Sequence, residues 1–202
     1  MEQRTEEWFA ARLGKVTASR VADVIAKTKS GYSTSRANYM AELVCERLTG
    51  KKGDSYSNSA MVWGTNTEPL ARAAYEARTG FLVEEVGFVS HPSIDQAGCS
   101  PDGYVEAESL IEIKCPMSNQ HIESLLAKEA PSKYVPQMQW QMACTDRKWC
   151  DFVSFDPRLP ENMQLLIVRV MRDQGMIVEL EREVEKFLFE LDQKVTRLKA
   201  QY

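Results

Sequence analysis

The residues best suited to chemistry lie between Pro101 and Lys114. Asp102 stands near the start of one predicted strand, and Glu112 and Lys114 are two residues apart on the next, so their side chains share one face. If the two strands pair as a hairpin through residues 106–109, Asp102 approaches Glu112. Two carboxylates brought together need a cation or a proton to neutralise them, so the cluster predicts a divalent metal site. Oxygen ligands of this kind suit Mg²⁺ or Mn²⁺ rather than zinc.

Lys114 would lie close enough to such a site to orient or deprotonate a water molecule, and burial and the field of a metal would help to lower its pKa. The opposite interpretation is that Glu112 and Lys114 are the solvated residues of an alternating edge strand. A Glu-x-Lys pair alone is weak evidence. The Pro-Asp pair, the nine residues between Asp102 and Glu112, and the surrounding strands favour the chemical interpretation. The pattern PD-x9-E-x-K resembles that of the PD-(D/E)xK nuclease superfamily.

The elements that must position these residues follow from hydrophobic periodicity and from helix caps. Helices are predicted over residues 20–26, 35–49, 121–129, 133–145 and 179–202, with a further helix that begins at Thr67-Glu68-Pro69 and ends at Gly80. Strands are predicted over residues 81–89, 103–105, 109–114, 149–155 and 164–170, and loops over 31–35 and 51–59. The fold class is therefore α/β or α+β, a mixed central β-sheet flanked by helices with a long C-terminal helix.

The chain has 202 residues, of which 44% are hydrophobic and 27% charged. At roughly 100–200 residues per domain, this length predicts a single domain over residues 1–202. No stretch approaches the about 18 apolar residues of a membrane span, and the N-terminus lacks the apolar core of a signal peptide. Five scattered cysteines without Cys-x-x-Cys spacing favour reduced thiols in a cytoplasmic compartment, and two histidines exclude a His-rich metal site.

Charge is unevenly distributed, although its sum is only −4. Residues 1–52 carry ten basic and six acidic side chains, whereas residues 53–110 carry two basic and nine acidic ones. A basic N-terminal quarter followed by an acidic stretch is compatible with a polyanion held beside clustered carboxylates. Charge alone favours an ordinary mixed surface over such a binding site.

Five short blocks resemble, in order, the phage lambda exonuclease family, also called the YqaJ-like viral recombinases. The blocks are WFAARLGKVTAS (8–19), WGTNTE (63–68), CSPDG (99–103), EIKCP (112–116) and YVPQMQ (134–139). Any one of them is a weak signal, but five in order across residues 8–172 form a strong one. The resemblance implies a restriction-endonuclease-like core of the PD-(D/E)xK type.

The resemblance also implies roles for residues around the acidic cluster. Asp102 and Glu112 match the metal-binding carboxylates, with the backbone carbonyl of Ile113 as a further ligand. Lys114 matches the catalytic lysine, and Glu68 the acid that completes the metal site, at least through water. On the residues alone, Glu68 at a helix start has a second possible role, which is to complement the helix dipole.

Four further positions match residues that the family uses near the 5′-phosphate and the scissile end; they are Arg12, Ser19, Ser100 and Gln137. Arginine suits this task because its planar fork donates two parallel hydrogen bonds to phosphate oxygens. From the residues alone, Ser19 is equally a helix cap, and Gln137 is equally an exposed helix residue.

The activity implied by the resemblance is that of an Mg²⁺-dependent 5′→3′ exonuclease, with one or two ions (Mn²⁺ being an alternative). It would act on double-stranded DNA ends, release mononucleotides and leave a 3′ single-stranded tail. The resemblance further implies a toroidal homotrimer, a single-strand annealing protein as partner, no membrane, and a phage- or prophage-encoded protein in the bacterial cytoplasm.

Three alternatives stay open at this point. A PD-(D/E)xK endonuclease of the restriction or repair type would use the same cluster without a 5′-phosphate pocket. A Cas4-like iron–sulfur nuclease would need four suitably grouped cysteines, which Cys144 and Cys150 do not supply. The third alternative is a DNA-binding or assembly module without catalysis, against which the filled catalytic positions argue.

Overall fold

A computed structural model of the chain describes residues 2–53 and 59–202. In these ranges the seven helices are α1 (Glu6–Arg12), α2 (Val21–Ile25), α3 (Thr34–Thr49), α4 (Ser59–Thr79), α5 (Ser118–Ala127), α6 (Val135–Thr145) and α7 (Gln174–Gln201). The ten strands of the same ranges are β1 (Val16–Thr17), β2 (Lys27–Thr28), β3 (Gly31–Tyr32), β4 (Val83–Glu84), β5 (Val89–Ser90), β6 (Ala97–Cys99), β7 (Gly103–Val105), β8 (Ser109–Lys114), β9 (Trp149–Phe155) and β10 (Leu165–Met171).

The main sheet has five strands in the order β10-β9-β8-β7-β4. β7 and β8 form an antiparallel hairpin in which Gly103 lies opposite Ile111, and β8 runs parallel to β9 with Glu112 opposite Phe152. The other neighbours are antiparallel. The predicted mixed sheet and its hairpin are therefore confirmed. Since β8 lies inside the sheet, the interpretation of Glu112 and Lys114 as residues of an edge strand is wrong.

Helices cover both faces of the main sheet, and the alternation of side chains along β8 decides which residue meets which helix. Ile111 and Ile113 pack on the side covered by α4. Leu110 packs on the opposite side, with buried methionines of α6. Glu112 and Lys114 have the same parity as Leu110 and therefore lie on the α6 side of the sheet.

The long C-terminal helix α7 closes a second core with α2, α3 and the small sheet β1-β6-β5. Asp173 caps this helix, because its Oδ1 accepts a hydrogen bond of 3.0 Å from the Met176 backbone N–H. The helix accordingly begins at Gln174, five residues before the predicted start at residue 179. The predicted long C-terminal helix is confirmed.

Helix α4 differs from the prediction. The sequence predicts a start at Thr67-Glu68-Pro69, but the helix begins at Ser59 and passes through Pro69. Proline removes one helical hydrogen bond and crowds the preceding turn. The burial of the apolar stripe of α4 against the main sheet outweighs this local cost. Of the polar loop expected beside this helix, residues 54–58 lie outside the described residues.

Two other segments differ from the prediction because of strand pairing, distant in the first case and local in the second. The single strand expected over residues 81–89 is two short strands in different sheets, since β4 pairs with β7 and β5 pairs with β6. The loop expected over residues 31–35 contains β3, which pairs with β2. In the part of the chain that the structure describes, no helix is long and apolar enough to cross a membrane.

Candidate active site

The hairpin β7–β8 places two carboxylates side by side. Asp102 lies one residue before the Gly103–Ile111 pair, opposite Glu112. Its Oδ2 accepts a hydrogen bond of 2.6 Å from the Ile113 backbone N–H. Burial, together with the nearby Glu112 carboxylate, raises the pKa of Asp102 well above its usual range. The two acids therefore repel each other in a poorly solvated position, as the sequence predicts.

Lys114 lies against the same acids. Its Nζ is 2.5 Å from Glu112 Oε1, and the Glu112 side chain is 1% exposed. Burial alone would lower the pKa of Lys114, but the carboxylates of Glu112 and Asp102 outweigh burial and raise it. These acids keep the side chain an ammonium, and the lowered pKa expected from burial together with the field of a bound metal stays a prediction.

Glu68 approaches the cluster from α4, on the side of the sheet opposite to Glu112. Its oxygens are 3.0 Å from Arg4 and 3.3 Å from Arg72. Glu68 is nevertheless close enough for its charge to contribute to the raised pKa of Asp102. Because Glu68 lies in the middle of α4, the alternative role at a helix start is wrong.

The donor set fits Mg²⁺ or Mn²⁺. Because the N–H and C=O of a residue in a strand point to the same side, the Ile113 carbonyl faces the side of β8 from which Asp102 reaches its N–H. Asp102, Glu112 and this carbonyl supply oxygen ligands only. Across residues 2–53 and 59–202, no three His, Cys, Asp or Glu side chains are grouped to hold a metal by themselves. A set of two carboxylates and one carbonyl suits Mg²⁺, which binds through one or two carboxylates plus water and substrate phosphates.

Two glutamines of α6 hold the Glu112 carboxylate. Gln137 Nε2 donates to Glu112 Oε1 and Gln141 Nε2 to Glu112 Oε2, both at 2.6 Å. Gln137 is thus half-buried beside a metal-ligand candidate rather than an exposed helix residue. Sequence reasoning missed Gln141, although a spacing of four residues places both amides on one helix face.

A second cluster surrounds Arg12 at the end of α1. Arg12 Nη1 and Trp8 Nε1 each donate to Ser100 Oγ at 3.0 Å, and the guanidinium lies 4.0 Å from the Trp8 ring centroid. Burial lowers the pKa of Arg12, and the nearby Tyr39, Cys99 and Glu46 oppose this lowering without cancelling it. Ser100 lies two residues before Asp102, and two residues of chain span at most about 7 Å, so the Arg12 cluster lies close to Asp102.

Arg12 opens into a cavity of about 470 Å³ between α1, α3 and the segment that follows β1. Its four basic side chains are Arg12, Lys15, Arg20 and Lys52. Arg20 is paired with acids at 2.7 and 2.8 Å. Among the described residues, the other three cations have no carboxylate within ion-pair distance. These three cations are therefore available to bind an anion in the cavity. The exposed Ser19 also lines the cavity, and it caps no helix.

The turn after α1 requires glycine. Gly14 has a φ of +69°, in the left-handed region. Its N–H donates to Glu46 Oε2 at 2.7 Å and its carbonyl accepts from Arg47 Nε at 2.8 Å. A Cβ here would lie 2.8 Å from Arg47 Cγ. This turn therefore fixes α1, and with it Arg12, on helix α3.

We expect Gly14→Ala to lower the free energy of unfolding by about 1–3 kcal/mol, because alanine is strained at positive φ. Urea denaturation measures this change. Gly64→Ala is the matched control, since Gly64 lies within α4 and a Cβ there meets nothing within 4 Å. The control should be neutral or stabilising, whereas an unchanged urea midpoint for Gly14→Ala would refute the assigned turn.

Comparisons with known proteins identify the family and relatives of this chain. The family model of the YqaJ-like viral recombinase domain matches residues 7–148. An alkaline exonuclease from Laribacter hongkongensis, LHK-Exo, is 54% identical over 98% of this chain and 97% of its own, with a TM-score of 0.92. A structure of LHK-Exo in complex with dAMP gives the same values. A phage-related exonuclease from Haemophilus somnus 129PT is 17% identical over 91% of this chain and 96% of its own; its TM-score of 0.70 shows likeness of fold alone. No curated protein matches the chain.

Proposed function

The chain belongs to the YqaJ-like viral recombinase family, and we propose that it is a metal-dependent exonuclease that degrades one strand of double-stranded DNA from an end. One observation carries this proposal. The cluster of Asp102, Glu112 and Lys114 is joined through Ser100 to a cavity in which Arg12, Lys15 and Lys52 have no carboxylate within ion-pair distance among the described residues. A cluster suited to phosphodiester hydrolysis thus lies beside a site suited to a terminal phosphate.

The cavity supports digestion in the 5′→3′ direction. A terminal phosphate carries about −1.5 to −2 charges at pH 7, and the fork of Arg12 can bind its oxygens through two parallel hydrogen bonds. Ser19 lines the same cavity, and Ser100 Oγ accepts a hydrogen bond from Arg12. A 5′-phosphate held here would place a phosphodiester near Asp102. Gln137 would lie beside the metal ligands, because it donates a hydrogen bond to Glu112.

Mg²⁺ or Mn²⁺, as one or two ions held by Asp102, Glu112 and the Ile113 carbonyl, would supply charge stabilisation at the reacting phosphate and an activated water. Lys114 is an ammonium with three donors. It orients the attacking water or a phosphate oxygen and offsets the charge of the two acids. Asp102 is itself fixed by the Ile113 N–H. Release of mononucleotides is supported by LHK-Exo, which was solved in complex with dAMP.

We extend the proposal to the biological setting. Removal of one strand would leave a 3′ single-stranded tail, the substrate of a single-strand annealing protein, as the description of the family as viral recombinases supports. Residues 1–202 would form one exonuclease domain that assembles as a homotrimer ring. The protein would act in the cytoplasm of a bacterial host, encoded by a phage or prophage, and its five cysteines are free.

The main rival is an endonuclease that uses the same cluster. We expect Mg²⁺-dependent digestion of a linearised plasmid, while the same plasmid as a covalently closed circle stays intact, because the cavity binds an end. Gel electrophoresis over one time course measures both substrates. Rapid cutting of the circle would exclude the exonuclease assignment. Stability of both substrates with Mg²⁺ or Mn²⁺ would favour a DNA-binding module without catalysis.

A further inference from the structure

Helix α6 contributes to the cluster in a way that metal ligation and phosphate binding do not explain. Its two glutamines, Gln137 and Gln141, each donate to a different oxygen of Glu112 at 2.6 Å. Lys114 Nζ adds a third donor on Oε1. Of these three donors, only Gln141 bonds to Oε2, and no other described residue donates to that oxygen. The orientation of the Glu112 carboxylate plane therefore depends on Gln141.

Stability does not explain a glutamine at this position. Gln141 is fully buried, and among the described residues its Oε1 has no hydrogen-bond donor. A buried acceptor without a partner is unfavourable, and an apolar side chain of the same shape would avoid that penalty. Gln139 on the same helix provides the contrast. It is also buried, but its Nε2 donates to the Met171 carbonyl and its Oε1 accepts from the Asp173 N–H, both at 2.8 Å.

An amide suits the task of orienting a metal-binding acid. It donates a hydrogen bond without carrying charge, so it fixes the carboxylate and leaves the negative charge available to a cation. An arginine or lysine at position 141 would instead compete with that cation. Hydrogen bonds to ligating groups commonly set ligand orientation and affect metal affinity or activity by about 10- to 100-fold.

We propose that Gln141 is a positioning residue that holds the Glu112 carboxylate in the orientation required to bind the divalent cation. The proposal rests on the proposed function, since it deepens the role of the same acidic cluster. Gln141 acts through Glu112 and touches neither DNA nor the reacting phosphate. Its loss should weaken cation binding and turnover, with little effect on DNA affinity.

The test compares Gln141→Met with Gln139→Met, which removes a buried amide of the same helix that bonds to Met171 and Asp173 instead of Glu112. Calorimetric titration of the DNA-free protein with Mn²⁺ measures cation affinity directly. We expect Gln141→Met to bind Mn²⁺ at least about 10-fold more weakly and to need correspondingly more Mg²⁺ for half-maximal digestion. Its KM for DNA at saturating Mg²⁺ should stay within about twofold. Its melting temperature should change little, because Glu112 Oε2 loses its donor while the Gln141 Oε1, which has no donor among the described residues, is removed. Gln139→Met should melt at a lower temperature and keep wild-type Mn²⁺ affinity.

Two results would overturn the proposal. One is wild-type Mn²⁺ affinity and Mg²⁺ dependence in Gln141→Met; the other is an equal loss of affinity in both variants, which would indicate general damage to α6. Gln141→Asn, which retracts the amide from Glu112, should reproduce the weaker Mn²⁺ binding and decides the question if the methionine variant does not fold. Asp102→Asn distinguishes a failure of the proposed function from a failure of the positioning role alone. If it digests DNA normally, the proposed function fails, whereas an inactive Asp102→Asn beside a normal Gln141→Met removes the positioning role alone.

Discussion

Replacement of Asp102 by asparagine is expected to reduce the rate of DNA digestion at saturating Mg²⁺ by at least about 10³-fold, equivalent to about 4 kcal/mol in activation free energy. Asparagine still accepts the bond from the Ile113 N–H, but it lacks the charge that holds a divalent cation beside Glu112. Lys114→Met should cause a comparable loss, because it removes the ammonium next to Glu112. Single-turnover digestion of a labelled linear duplex measures both effects.

Stability distinguishes this loss from unfolding. Burial and the Glu112 charge raise the pKa of Asp102, so folding favours its protonated form and ionisation at neutral pH opposes folding. Asp102→Asn should therefore keep or raise the melting temperature of the metal-free protein. Asp151→Asn is the matched control. Asp151 is buried and accepts from Tyr75 at 2.8 Å and from Arg169 Nε at 2.9 Å, so its loss should lower the melting temperature and spare turnover. Wild-type activity in Asp102→Asn would move catalysis away from this cluster.

Arg12→Ala is expected to produce the second largest effect, and a selective one. Hydrogen bonds to a charged group contribute about 1.5–3 kcal/mol, so kcat/KM on duplexes with 5′-phosphate ends should fall by about 10- to 150-fold. On 5′-hydroxyl ends, which offer the guanidinium no terminal anion, the change should stay within about threefold. Digestion of two duplexes that differ only in the terminal phosphate measures this ratio.

Two further variants test the reason for that selectivity. Arg12→Lys keeps the charge but loses the planar fork, so it should lie between wild type and Arg12→Ala. Arg20→Ala changes a cation of the same cavity that is already paired with Asp23 and Glu42, so its preference for 5′-phosphate should change little. Equal losses on both kinds of end in Arg12→Ala would refute a terminal-phosphate site at Arg12.

The parts of the site that are close in sequence could be predicted from it. Asp102 and Glu112 belong to one hairpin, and a short connection with alternating strands fixes their register. The position of Ile113 on the core side follows from the same alternation. Ser100 follows because it lies two residues before Asp102.

The parts that depend on distant pairing could not be predicted. β8 is buried because β9, some forty residues later, adds to it in parallel, and no local pattern shows that neighbour. The passage of α4 through Pro69 depends on burial against the main sheet, which overrides a local preference. The contact of Gln141 with Glu112 likewise joins residues 29 positions apart. The glutamine spacing on α6 is visible in the sequence, but its target is not.

Hydrolysis of a DNA strand from its 5′ end by the cluster of Asp102, Glu112 and Lys114 would fix the order in which end labels are released. The most direct measurement is a time course of Mg²⁺-dependent digestion of a linear duplex with 5′-phosphate ends, labelled in separate reactions at the 5′ or the 3′ end of one strand. We expect early release of the 5′ label as a mononucleotide, late release of the 3′ label, and neither release in Asp102→Asn or without a divalent cation. Early release of the 3′ label, or release that persists in Asp102→Asn, would contradict this expectation.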